Sequence, residues 1–159
     1  MSEAYWDWFD SALGPLSIAV DGDGSVTTLI FGRETLPGKR SGEHCREVRK
    51  QLEEYLAGKR ERFDLTIKPE GTEFQRSVWQ GLTEIPYGTV CGYGDLARKI
   101  GNPRAARAVG GANGANPTPI LVPCHRVIAA DGSIGGFSSG LTIKRKLLSV
   151  ERIELTVGE

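Results

Sequence analysis

The hydrophobic pattern changes period along the chain. Residues 5–31 read as β structure: Leu16-Ser17-Ile18-Ala19-Val20, the turn signal Asp21-Gly22-Asp23-Gly24 and the run from Val26 to Phe31 predict a hairpin. Residues 32–42, with Gly32, Pro37, Gly38, Ser41 and Gly42, predict a loop. Over residues 43–57 the period becomes helical. Cys45, Val48, Leu52, Tyr55 and Leu56 fall on one face and Gly58 stops the helix, which makes Cys45 an inward, inert core thiol. A strand-like Phe63 to Ile67 and the turn Pro69-Glu70-Gly71 follow, and a subdomain boundary is placed there, dividing the chain into residues 1–70 and 71–159.

Beyond that turn the pattern is mainly helical. Thr72 and Gln75 form a capping box, Phe74, Val78 and Leu82 recur at intervals of four, and Ile85-Pro86-Tyr87-Gly88 ends the helix. Tyr93, Leu96, Ala97 and Ile100 mark a short helix stopped by Gly101. Asn102 and Pro103 then supply an N-cap and a first-turn proline for a helix running to about Ala112. Two helices joined so tightly predict a helix-turn-helix. The turn-rich Asn113 to Pro119 leads into Ile120 to Ile128, a buried-strand pattern interrupted by Cys124-His125-Arg126. Residues 131–140 hold four glycines and predict a mobile loop that could cover a ligand. Leu141 to Glu151 predicts a closing helix with Ile143, Leu147, Leu148 and Val150 inward, leaving Lys144-Arg145-Lys146 as a solvated face or a partner contact. The fold class expected is α+β: a small N-terminal β-sheet subdomain with a helix, packed on a mainly helical C-terminal subdomain.

Composition narrows the function classes. The 159 residues suit one domain, or two small subdomains sharing a core. Twenty basic and twenty acidic residues cancel, but residues 1–70 hold 10 basic and 13 acidic residues against 10 and 7 in residues 71–159. The second half is therefore mildly basic, and Arg98, Lys99, Arg104 and Arg107 cluster in the two-helix stretch as a phosphate-contacting surface would require. Its second helix is almost bare of bulk (Ala105, Ala106, Ala108, Gly110, Gly111, Ala112). That bareness suits close approach to a ligand or tight internal packing equally well. Three widely spaced cysteines without a C-x-x-C pair argue against a disulfide framework and for a reducing compartment. With no basic, apolar leader at the start and no run of about 18 apolar residues, an intracellular protein with no membrane partner is expected.

A thiol, an imidazole and a guanidinium inside an apolar run need a reason, because burying charge without a partner costs several kcal/mol. Cys124 is therefore a candidate nucleophile. A free thiol titrates at about 8.5 and needs a base, which a carboxylate-oriented histidine provides. On a regular strand, however, neighbouring side chains point to opposite faces, so Cys124 and His125 would meet only through a water or a local turn after Pro123. Three other readings stay open: a Cys-His-Glu thiol hydrolase, a non-catalytic sensor of alkylated DNA, and a structural thiol in a core. His44-Cys45 cannot supply the four ligands of a structural zinc site, and no metal is expected.

Several motifs converge on one family. Gly71-Thr72-x-Phe74-Gln75-x-x-Val78-Trp79, Ile85-Pro86-x-Gly88, Arg107-Ala108-Val109-Gly110, Asn116-Pro117, Pro123-Cys124-His125-Arg126-Val127 and Lys144-x-x-Leu147-Leu148-x-x-Glu151 together resemble the O6-alkylguanine-DNA alkyltransferases. The resemblance spans about residues 71–151; the first 70 residues share only general character. It implies a monomer that binds the minor groove of double-stranded DNA, flips an alkylated guanine into a pocket, and moves the alkyl group from O6 of guanine, or O4 of thymine, to Cys124 irreversibly and without any cofactor. It further implies His125 as base, Glu151 as its orienting carboxylate, Tyr93 as donor to the departing base and Asn116 as holder of the loop and sulfur. Arg107 would be the finger entering the vacated stack, with Tyr93, Asn102, Arg104, Ala105, Ala106 and Gly110 also facing DNA. Pro119, Val127, Phe137, Ser138 and Ser139 would line the base pocket, and Arg126 would form a structural ion pair while lowering the thiol pKa. Phe137 and Ser139 depart from the family's usual Tyr and Gly, which bears on the range of alkyl groups accepted.

Overall fold

The computed structural model describes residues 3–155. The fold is mixed α+β, and the chain divides into two compact units, one running to Glu70 and one starting at Gly71.

The first unit is built on a four-stranded sheet of order β3-β2-β1-β4. β1 (Ala4–Ser11) pairs antiparallel with β2 (Gly14–Asp21), Trp6 facing Ala19 and Phe9 facing Leu16. β2 in turn pairs antiparallel with β3 (Val26–Phe31), which gives the hairpin expected from the alternation. A two-residue β4 (Lys39–Arg40), which the loop composition of residues 32–42 conceals, lies parallel to β1 at the sheet edge. The expected strand Phe63 to Ile67 does not form; it contributes a single bridge, Ile67 to Val26. The Gln51 side chain accounts for part of this, accepting from Asp64 N at 2.8 Å and donating to Asp64 O at 3.2 Å, so backbone groups that a ladder would use are already satisfied. Gln51 sits in α1 (Arg46–Leu56), which buries Val48, Leu52 and Tyr55, the last with its ring 5.2 Å from Phe63. Cys45, just before α1, is buried, and desolvation first, then the charge of Asp7, pushes its thiol up to about 11.

The second unit opens with α2 (Glu73–Thr83), whose capping box is complete: Gln75 N donates to Thr72 Oγ1 at 3.0 Å and Thr72 N to Gln75 Oε1 at 2.9 Å. On the inner face of α2, Trp79 donates through Nε1 to Ala112 O at 2.8 Å. This fastens α2 to α4 (Ala106–Gly114), and both pack on α3 (Tyr93–Lys99). The close α2–α3 crossing needs Gly81, where a Cβ would come within 3.0 Å of Ile100 Cγ2 and Leu96 Cδ1. Gly101, at φ +83°, ends α3 in the left-handed region as its position suggested.

Two expectations about the course of the backbone fail in this unit. Asn102 is not an N-cap: Asn102 O accepts from Ala105 N at 3.0 Å, closing a turn over Pro103, and α4 starts only at Ala106 and runs on to Gly114. Proline at the second position of a tight turn is as well preorganised as at a helix start, so the same dipeptide served the other structure. Nor is Ile120 to Ile128 one strand. Ile120 has φ +73°, Cys124–Arg126 form a 3-10 turn, and only β6 (Val127–Ile128) is extended, parallel to β5 (Cys91–Gly92). Cys91 thus sits on a strand immediately ahead of α3, half-buried. The chain then enters α5 (Leu141–Val150), which delivers Glu151 at its C-terminus. Among the described residues no helix is long and apolar enough to cross a membrane.

Candidate active site

The 3-10 turn puts three consecutive polar side chains into the core of the second unit: Cys124, His125 and Arg126 are 4%, 0% and 7% exposed. Each finds partners, which is what makes the burial tolerable. Arg126 extends its fork to Glu151, Nε to Oε1 and Nη2 to Oε2, both at 2.9 Å, while Nη1 donates to Ile85 O at 2.7 Å. Glu151 also accepts from His125 Nε2 at 2.7 Å and from Gly88 N at 3.0 Å. One carboxylate therefore joins the C-terminus of α5, the turn after α2 and the cysteine-bearing segment.

A carboxylate can only accept, so Nε2 of His125 carries the hydrogen and the buried Nδ1 is the basic nitrogen. Desolvation is the largest influence on this ring and lowers its pKa below the ordinary imidazole value, with Glu151 opposing and Arg126 and Lys144 reinforcing. His125 is accordingly held as a neutral imidazole.

Cys124 is not a resting thiolate. Burial pushes its thiol up to about 11, against the pull of the Asn116 side chain and of Lys144. The expectation that Arg126 supplies the cation beside the sulfur is corrected here: Arg126 is committed to Glu151, and the positive charge that acts on Cys124 belongs to Lys144. Lys144 is itself fully buried, so of the basic triplet only Arg145 and Lys146 reach solvent. Asn116 braces the approach to the turn, donating from Nδ2 to Val122 O at 2.9 Å and accepting at Oδ1 from Thr118 N at 3.0 Å. Asn113, expected to open the turn-rich stretch to Pro119, lies instead within α4, buried, with Nδ2 donating to Cys124 O at 3.4 Å. A single asparagine among turn residues carries no sequence signal of such a role, and a lysine beside two other basic residues carries none of burial.

The remaining candidates divide by exposure. Val127 and Pro119 are buried beside the turn, Phe137 and Ser139 are half-buried, and Ser138 is exposed. Tyr93, at the start of α3, is half-buried. Desolvation raises its pKa, opposed by the Gly136 backbone amide and assisted by Cys124, so it lies within electrostatic reach of the sulfur. Gly110 lies against the Tyr93 ring, where an added Cβ would sit 3.8 Å from Cδ1 and Cε1. Asn102, Arg104 and Arg107 are exposed and Ala105 and Ala106 half-buried, so the α3–α4 turn presents cations on the surface of a small-residue helix. Arg98 is paired with Asp95 and contributes less free positive charge than the sequence suggests. No cluster of three metal-ligating side chains occurs among the described residues.

Comparison with known proteins matches both halves of the chain. Residues 73–153 match the family model for the DNA binding domain of 6-O-methylguanine DNA methyltransferase, and residues 4–69 that for its ribonuclease-like domain. A methylated-DNA–protein-cysteine methyltransferase of Methanosarcina acetivorans is 47% identical over 152 residues, covering 92% of this chain and 97% of that protein. The protein of the same name from Haemophilus influenzae is 42% identical, covering 96% and 89%. Among solved structures, OGT of Mycobacterium tuberculosis in complex with DNA superposes with a TM-score of 0.86 at 40% identity over 93% of this chain and 92% of that one.

Proposed function

The chain belongs to the 6-O-methylguanine DNA methyltransferase family, and on that premise we propose a reaction path in which Cys124 is the alkyl acceptor. The protein is an enzyme of direct-reversal DNA repair, moving an alkyl group from DNA to one of its own cysteines. The observation that carries the choice of Cys124 is its burial next in chain to a histidine fixed by a carboxylate; Cys45 follows His44, whose ring instead pairs with the Ser41 hydroxyl on the surface, and Cys91 has no histidine beside it.

An alkyl group on O6 of guanine is out of reach inside a duplex, so the nucleotide must rotate out of the stack. Arg107 on α4 is exposed and carries a planar guanidinium suited to fill the gap, with Asn102, Arg104, Ala105, Ala106 and Gly110 following the minor groove of double-stranded DNA. The flipped base reaches a pocket of Pro119, Val127, Phe137, Ser138 and Ser139. There the thiol proton passes toward Nδ1 of His125, directly or through a water. The sulfur attacks the alkyl carbon in line, forming the S–C bond as the C–O6 bond breaks. Guanine leaves with the electron pair and regains a proton, so the thiol's proton is accounted for in the restored base; Tyr93 donates to the base as charge builds on it.

The thiol's high pKa fits this path. A sulfur that becomes anionic only when a base receives its proton does not spend itself on adventitious electrophiles. A thioether, unlike a thioester, gives water no ready route to release it, so each molecule acts once; the acting species is a monomer, and its substrates are O6-methylated guanine and O4-alkylated thymine. Titrating a duplex that carries one O6-methylguanine with this protein tests the reading. Repair should plateau at one lesion per protein molecule; repair continuing past that point would overturn single use and favour a thiol hydrolase.

A further inference from the structure

The sheet of the first unit is apolar on both faces, and its helix packs on one. Phe9, Leu16, Ile18 and Leu29 are buried on the α1 side, where Arg49 of α1 lies 5.0 Å over the Phe9 ring. The alternate positions face the other way: Trp6 pairs with Ala19, and Trp8 with Ser17, which pairs onward to Ile30. On that outer face Trp6, Ala19 and Leu36 form a small cluster of their own, against which the half-buried Trp8 and Ile30 pack.

Cations stand at both edges of this face. Arg33 follows β3, one edge strand, and its guanidinium lies 4.0 Å over the Trp8 ring. Lys39 and Arg40 make up β4, the other edge; Arg40 is the Cα partner of Trp6 and stands 5.5 Å from the Trp6 ring and 5.8 Å from that of Trp8. Asp7 holds Arg40 at 3.0 Å, whereas Arg33 is exposed and pairs with no carboxylate among the described residues. A guanidinium stacked on a ring keeps its in-plane N–H groups free, so Arg33 presents donors at its edge and a flat cation on its outer side. The indoles themselves lie on β1, an inner strand of the order β3-β2-β1-β4.

We propose that the outer face of this sheet binds single-stranded DNA, with bases stacked on Trp6, Trp8 and the Arg33 guanidinium and phosphates held by Arg33, Lys39 and Arg40. Aromatic side chains on the inner strands of a helix-backed sheet suit unstacked bases, because every base has a π-face and a single strand leaves it open. A duplex keeps those faces inside its own stack. The positive charge is local, since residues 1–70 hold 10 basic and 13 acidic residues, so binding is weak and sensitive to salt. An acidic peptide would engage the same cations without needing the flat indole faces.

The indole Nε1–H resonances of the whole protein read this face directly. Its three tryptophans are Trp6 and Trp8 on the face and Trp79, which is buried with Nε1 bonded to Ala112 O. Oligothymidylate, which carries no guanine, should shift the Trp6 and Trp8 resonances saturably in low salt and leave that of Trp79 in place. The affinity should fall as salt is raised. Arg33→Gln should weaken this binding at least about fivefold, and Trp8→Leu should abolish the saturable shift of Trp6. Where Trp8→Leu does not fold, Arg33→Gln, a change at an exposed position, decides. Poly-glutamate should leave both indoles unmoved. No shift of Trp6 or Trp8 with oligothymidylate, or a shift that Arg33→Gln leaves unaltered, overturns the proposal. An equal response to poly-glutamate overturns it as well and assigns the face to an acidic protein partner.

Discussion

His125 donates through Nε2 to Glu151 Oε2 at 2.7 Å while Arg126, the next residue, grips both oxygens of the same carboxylate. Consecutive residues can converge on one acceptor because the 3-10 turn spaces their side chains by about a third of a revolution, where a strand would oppose them. The carboxylate thereby fixes the histidine's tautomer and leaves Nδ1 as the basic nitrogen. It also means that the buried ion pair and the proposed base rest on one group.

Removing Arg126 leaves Glu151 buried and short of its main counter-charge. Arg126→Ala should cost about 3–5 kcal/mol in urea unfolding, the usual penalty for breaking a buried pair. Arg126→Lys should recover only part of it, because an ammonium cannot make the two parallel bonds of the fork. A loss below about 1 kcal/mol would mean that the pair is effectively solvated.

The depressed pKa of His125 gives stability a sign with pH. Below about 6.5, the ordinary imidazole value, the unfolded chain takes up a proton that the native state resists, so unfolding is favoured as pH falls toward the native pKa. Stability measured by urea should drop between neutral pH and pH 5, and His125→Gln should flatten that drop. A wild-type protein as stable at pH 5 as at neutral pH would contradict a buried, neutral His125.

How much of this was legible beforehand depended on whether the signal was local. The Thr72–Gln75 capping box, the Gly101 stop and the β2–β3 hairpin follow from side chains acting on their own backbone, and all three form. Phe63 to Ile67 and Asn102-Pro103 depart from their local signal where a distant group or a competing turn claims the same backbone atoms. In the candidate site, Cys124, His125 and Arg126 stand out because polar residues in an apolar run are costly, whereas Glu151 is marked only by the family resemblance. Lys144 and Asn113 do not stand out, because their burial is decided by segments far along the chain: Gly136 and Val127 for one, Cys124 for the other.

Arg107 is exposed on α4 and touches DNA only in the proposed complex. Arg107→Ala should weaken repair of O6-methylguanine in duplex DNA by about tenfold or more, equivalent to about 1.4 kcal/mol. Slow alkylation by free O6-benzylguanine should be nearly unchanged. Equal losses on both substrates would show that Arg107 acts on the pocket and not on the flipped strand.

With its thiol pushed up to about 11, Cys124 should be a poor target for iodoacetamide in the absence of DNA. Peptide mapping should find carboxymethylation at Cys124 slow near neutral pH and rising steeply on the alkaline side. Cys124→Ser should retain DNA binding and lose transfer. Rapid labelling at pH 7 would mean that the thiol is already ionised at rest and needs no base.

The most direct test of Cys124 as acceptor is the mass of its own peptide after the protein meets a duplex containing O6-methylguanine. The expected result is the addition of a single methyl group to the peptide carrying Cys124, matched by loss of the lesion, with the peptides of Cys45 and Cys91 unchanged. An unmodified Cys124 peptide, whether the lesion persists or the methyl group appears on another cysteine, would contradict the account.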